Sequence, residues 1–121
     1  ISIRMAAIQS GIDAKYPGYK PDGYALNGPI KFKSGEVSMR YAYADGSSAY
    51  TITQQKSSWN SSAVKDFFSE KHKSPNATMI DGLTIYSGGK EAAWVNGGIL
   101  YQISGDANLS NDQIQKIATS L

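Results

Sequence analysis

The chain has 121 residues, 40% hydrophobic and 18% charged, with a formal net charge of +2. That length suits one domain with one core, and so apolar and aromatic a composition excludes a disordered tail. Twelve basic side chains are dispersed among ten acidic ones, which excludes the concentrated basic face that nucleic-acid recognition needs, and the absence of cysteine excludes disulfides and thiolate metal sites.

Ile1, Met5, Ile8 and Ile12 recur at helical spacing and predict a short first helix, weakened at Gly11. The stretch from Tyr16 to Tyr24 carries Pro17, Gly18, Pro21 and Gly23, so it is extended and cannot be helical. Phe32 falls on a short strand between Gly28-Pro29 and Ser34-Gly35. Val37, Met39, Tyr41 and Tyr43 alternate before Asp45-Gly46, and Tyr50 and Ile52 alternate after it, which predicts a hairpin with one apolar face. Asn60 is placed to cap a helix running to about His72, with Trp59 stapled onto Val64 and with Val64, Phe67 and Phe68 as its buried stripe.

Two short strands, about 78–80 and 83–87, flank Asp81-Gly82. A last hairpin is centred on Asn96-Gly97, so that Trp94 would face Ile99 and Ala92 would face Tyr101. Ser110 and Gln113 form a capping box that opens a final amphipathic helix through Ile114, Ile117, Ala118 and Leu121. The order α, β-β, α, β-β-β-β, α predicts an α+β fold, an antiparallel sheet with about three helices packed mainly on one face in two layers. Residues 1–121 read as a single domain, and Ile1 in place of an initiator Met is expected of a piece excised from a longer protein.

No set of residues converges on a reaction. His72, the only histidine, sits among Lys71, Lys73 and Glu70 at a helix end, where a positive charge suits the helix dipole better than catalysis. Ser62 with Lys65 has the S-x-x-K spacing of serine-lysine acyltransferases and Lys33-Ser34-Gly35 resembles their lysine-glycine strand, but the order is reversed and the chain too short. Asp106, Asn108, Ser110 and Asp112 alternate like the start of a calcium loop, yet Asn111 stands where glycine is required and Ile117 where a bidentate carboxylate belongs. Catalytic, cofactor and metal residues are therefore expected to be absent, and no phosphate-cradling glycine motif predicts a nucleotide. Among eight tyrosines, Tyr16, Tyr19 and Tyr24 cluster in the proline-rich segment, where amphipathic rings suit either packing over the sheet or a groove for a ligand or partner.

The series Tyr16-Pro17-x-Tyr19-x-Pro21-x-Gly23-Tyr24, then Trp94-x-x-Gly97-Gly98-x-x-Tyr101, then Leu109-Ser110 with Ile117-Ala118-x-x-Leu121, resembles a bacterial domain of unknown function. That domain occurs as the extracytoplasmic part of membrane-anchored, anti-sigma-factor-like proteins. The resemblance implies a location outside the membrane, an anchor through a segment absent from this chain, and no catalytic residues. The expected function is a non-enzymatic sensory or binding domain with a protein or small-ligand partner. The alternative is a carrier or chaperone-like module holding an apolar ligand between sheet and helices.

Overall fold

The computed structural model describes residues 1–121. Its elements in chain order are α1 (Ile3–Ser10), β1 (Ala25–Leu26), β2 (Lys31–Lys33), β3 (Glu36–Ala42), β4 (Ala49–Lys56), α2 (Ser61–Lys71), β5 (Asn76–Ile80), β6 (Leu83–Gly88), β7 (Glu91–Asn96), β8 (Ile99–Gly105) and α3 (Asn111–Thr119). The fold is α+β. One eight-stranded antiparallel sheet runs β1-β3-β4-β8-β7-β6-β5, with β2 also paired to β3. Antiparallel pairing of β4 with β8 joins the two meanders, Ile52 lying opposite Ile103 and Gln54 opposite Tyr101.

Alternation along the strands sends Val37, Met39, Tyr41, Tyr50, Ile52, Ile85, Ala92, Trp94, Tyr101 and Ile103 to one face, where α1 and α3 cover them. The capping box predicted for α3 is present, Ser110 accepting from the Gln113 N–H and the Gln113 side chain from the Ser110 N–H, and Ile114, Ile117 and Ala118 are its buried stripe. Helix α2 lies on the opposite face, because Tyr86, Ala93, Val95 and Leu100 make that side of β6, β7 and β8 apolar too, and Val64 and Phe68 close over them. Two helices thus share one layer and the third forms a partial layer of its own.

Three local expectations are revised. The last hairpin turns on Gly97-Gly98, both at positive φ, so Trp94 faces Tyr101 and Ala92 faces Ile103; a shift of two residues leaves every side chain on the face expected of it. Helix α1 is capped by Ser2 and Gly11, but it buries Ala6 and Ser10 and leaves Ile1, Met5 and Ile8 outward, Ile8 at 67% exposure. Small side chains let this helix approach β2 and β3 closely, which decides its orientation against the larger apolar residues. The ring of Trp59 rests on Phe67, with centroids 5.3 Å apart, in place of Val64, which is fully buried under α2.

The extended segment from Ala14 to Tyr24 crosses the α1/α3 side of the sheet. Gln54, fully buried on β4, holds it there: its side-chain amide accepts from the Lys15 N–H at 3.0 Å and donates to the Lys15 carbonyl at 2.7 Å, pairing with that residue as a neighbouring strand would. The Gly18 N–H donates to the Ser120 carbonyl at 3.1 Å and ties the segment to the end of α3. Tyr24 then stacks on Tyr43, meets Tyr50 edge-on, and shares a hydrogen bond with Ser48.

Tyr50 is 1% exposed, and its hydroxyl is buried with no hydrogen-bond partner. An unpaired buried hydroxyl costs about 1–3 kcal/mol. Tyr50→Phe keeps the ring stacked on Tyr41 and should leave the protein as stable as before or more stable by about 1 kcal/mol, measured by denaturant unfolding. A loss of more than about 1 kcal/mol would show that the hydroxyl is bonded after all.

Candidate functional site

Of the tyrosines picked out by the sequence, Tyr16 is 44% exposed, Tyr19 is half-buried with the Lys116 ammonium 5.7 Å above its ring, and Tyr24 is buried in the core. Burial, and after it the neighbouring Tyr16, pushes the Tyr41 hydroxyl up to about 12. The three rings therefore stand in different environments, and the aromatic cluster around Tyr24 packs the segment down.

The other side of the sheet is shaped differently. On β3, β4 and β8 the outward positions carry Ser38 and Arg40, Thr51, Thr53 and Gln55, and Gln102 and Ser104. The register sets Thr53 opposite both Ser38 and Gln102, and Thr51 opposite both Arg40 and Ser104. Helix α2 packs on β6, β7 and the Leu100 end of β8 and stops short of β3, β4 and the rest of β8, so a polar shelf lies open beside it. The shelf side chains Thr51, Thr53, Gln102 and Ser104 are half-buried and make no hydrogen bonds to other protein groups, so their donors and acceptors remain available.

Three clefts lie along this face, the first two sharing Phe67 and Gln102. The largest, about 460 Å³, lies between the C-terminal half of α2 and the shelf, lined by Phe67, His72 and Glu91 on one side and Thr53, Gln102 and Ser104 on the other. A second, about 400 Å³, continues past Phe67 and Gln102 to Trp59, Gln55 and Ser57. The third, about 290 Å³, sits over Ser38 and Thr51, where the loop of Asn27 to Lys31 forms the far wall and the Arg40 guanidinium donates to the Asn27 side chain. Trp59 and Phe67 are 41% and 40% exposed and stand on the α2 wall.

His72 and Glu91 close one end of the groove. His72 caps the C-terminus of α2 with its N–H on the Phe68 carbonyl, stacks its ring on Phe68 with centroids 4.5 Å apart, and meets the Glu91 carboxylate through Nε2 at 2.7 Å. Lys71 reaches the same carboxylate at 3.0 Å. The pair lies in a cleft, as a catalytic dyad would, but no serine or threonine hydroxyl is bonded to the ring, the two partners hold each other, and Lys71 holds Glu91 as well. What this cluster does physically is fasten the end of α2 to β7.

Burial pushes the Glu91 carboxyl up, but the hydrogen bonds from His72 and Lys71 and their charges outweigh it, and the net shift is downward. A carboxyl whose folded-state value is depressed contributes stability above its unfolded value, and that contribution is lost as pH falls through the folded one. Wild type should therefore lose stability relative to Glu91→Gln as pH is lowered from neutral into the acid range, followed by thermal unfolding at stepped pH. Parallel stability curves for the two proteins would contradict the assignment.

Elsewhere the sequence patterns resolve into ordinary structure. Ser62 lies in the first turn of α2, and Lys33-Ser34-Gly35 makes the turn from β2 into β3. Asp106 spends its carboxylate on the Ala49 N–H at 2.8 Å and Ser110 spends its hydroxyl on the helix cap. No three His, Asp or Glu side chains stand close enough to hold a metal ion together. No helix is long and apolar enough to cross a membrane.

The groove was missed by the sequence reading. Its signal is the neutral polar alternate of Tyr50/Ile52 and Tyr101/Ile103: Thr51, Thr53, Gln55, Gln102 and Ser104, a set with no charged side chain. The pairing of His72 with Glu91 across the chain had no local signal at all. Searches among curated proteins and among solved structures return no match. A family model, described as a domain of unknown function (DUF4367), matches residues 15–121, which takes in the tyrosine segment, every strand, α2 and α3. The chain belongs to the DUF4367 family.

Proposed function

We propose that the chain is a non-enzymatic binding domain whose recognition surface is the groove between α2 and the β4/β8 shelf, and that it serves a membrane-anchored bacterial protein as an extracytoplasmic sensor. The observation that carries the binding part is the shelf itself: half-buried hydroxyl and amide side chains with unused hydrogen-bonding capacity, walled by two exposed aromatic rings. The extracytoplasmic, anti-sigma-factor-like part is supported by the resemblance of the tyrosine, tryptophan-glycine and C-terminal helix motifs. Signalling would follow if the ligand binds one placement of α2 better than another, since only a difference in affinity shifts an equilibrium.

A carrier that stores an apolar molecule between sheet and helices is less well supported. Trp94, Tyr50, Met39, Ile52, Ile103 and Ile117 already fill that space, each less than 2% exposed. The binding reading is tested by thermal unfolding of the domain in bacterial envelope extract. A ligand that binds only the folded state raises the midpoint by mass action, and Thr53→Trp, which fills the largest cleft from its floor, should abolish the rise. An unchanged midpoint in wild type, or a rise that survives in Thr53→Trp, would count against it.

A further inference from the structure

Resting on that binding reading, we propose that the occupant of the groove is a neutral saccharide chain, laid along α2 from Trp59 past Phe67 to the end of the shelf at Ser104. Three features of the groove select this chemistry. The floor offers Thr53, Gln55, Gln102 and Ser104, each able to donate and to accept, which matches a ligand whose own polar groups do both at every position, as sugar hydroxyls do. The wall offers the Trp59 and Phe67 rings, 5.3 Å apart and about 40% exposed, flat apolar surfaces of the kind that cover the carbon-hydrogen face of a sugar ring.

The floor shared by the first two clefts carries no charge, which is the third feature: Lys71 and His72 are bonded to Glu91 at one end, and Lys56 borders the other. An anionic ligand would meet Glu70 and Glu91 at the α2 end, where Lys71 and His72 are already bonded to Glu91. An extended peptide gains its affinity by pairing with an open strand edge, whereas β4 and β8 are paired on both sides and present only side chains here. The two cleft volumes that share Phe67 and Gln102 run roughly the length of α2, about 16 Å at 1.5 Å per residue, so the groove suits a chain more than a single ring.

The probes are a soluble cello-oligosaccharide and a soluble chitin oligosaccharide, titrated into the domain while tryptophan fluorescence and amide shifts are recorded. Saturable shifts at Thr53, Gln102 and Ser104 are expected with at least one of them. Trp59→Ala should weaken binding roughly three- to tenfold, and so should Thr53→Val, which removes a hydroxyl without changing shape. Both variants must keep the wild-type unfolding midpoint, which exposure of Trp59 and the open position of Thr53 favour. If neither saccharide shifts these amides while envelope extract does, the occupant is of another class and the proposal fails with the binding reading intact. If an unstructured peptide shifts them and the saccharides do not, it fails in favour of a peptide. Silence with both saccharide and extract sinks the binding reading as well.

Discussion

Alanine at Gly105 should cost roughly 3–5 kcal/mol of stability, a large share of what a domain of this size holds. Gly105 ends β8 at a φ of +116°, a backbone conformation that L residues rarely adopt. A β-carbon built there would sit 2.5 Å from the Ala49 carbonyl oxygen and 3.0 Å from the Tyr50 Cα, both backbone atoms that cannot step aside. The same carbonyl accepts from the Asp106 and Ala107 N–H groups at 3.1 and 2.9 Å, while the Asp106 carboxylate takes the Ala49 N–H at 2.8 Å. Pushing Ala49 away therefore breaks the junction at which β8 leaves the sheet for α3. Gly46→Ala is the control: φ there is +74° but nothing lies within 4 Å, so only conformational strain of about 1 kcal/mol is expected. Equal losses in the two variants, by denaturant unfolding, would show that the close approach at Gly105 does not matter.

The second large effect is expected at Gln54→Leu, at about 2–5 kcal/mol. Leucine fills the buried volume but leaves both the N–H and the carbonyl of Lys15 without their partner, and each such group costs about 1–3 kcal/mol when water cannot replace the bond. The damage should be local first: amides between Ala14 and Tyr24 should lose hydrogen-exchange protection before the sheet does. Gln54→Glu sharpens the test. Only a protonated carboxyl can both accept from the N–H and donate to the carbonyl, so its folded-state pKa should be raised. Its stability is then fully present below the unfolded value, about 4.3, and is lost as pH rises through the folded one. A Gln54→Glu protein no more stable in acid than at neutrality would contradict the pairing with Lys15.

These two residues also show where a sequence can be read and where it cannot. The hairpins, the capping box at Ser110 and the Asn60 cap follow from chemistry confined to a few neighbouring positions, and they are all present. Gly105 and Gln54 carry as much of the fold, yet their roles depend on Ala49 and Lys15, residues distant in sequence that meet them only once the sheet is assembled. The same limit governed α1: the spacing of Ile1, Met5 and Ile8 correctly marks a helix, but the close seat on β2 and β3 selects Ala6 and Ser10 as its buried side. The turn at Gly97-Gly98 competed with Asn96-Gly97, and two adjacent glycines at positive φ prevailed over the asparagine-glycine pair.

The groove was hidden for a related reason. Large apolar and aromatic residues mark a core in the sequence, and the aromatic cluster of Tyr16, Tyr19 and Tyr24 is the surface signal that stands out there. Of these, Tyr24 is sequestered with Tyr43 and Tyr50. The shelf is made of unremarkable threonine, serine and glutamine, and it lies open only because α2 sits over β6, β7 and Leu100 and leaves β4 and residues 102–104 of β8 bare.

Amide-shift mapping of the isotope-labelled domain during titration with envelope extract compares the two sides of the sheet in one experiment. Perturbation concentrated at Thr53, Gln102, Ser104 and the Trp59 indole is the expected result. Perturbation confined to Tyr16, Tyr19 and their neighbours, with the shelf silent, would place recognition on the opposite face and contradict the account.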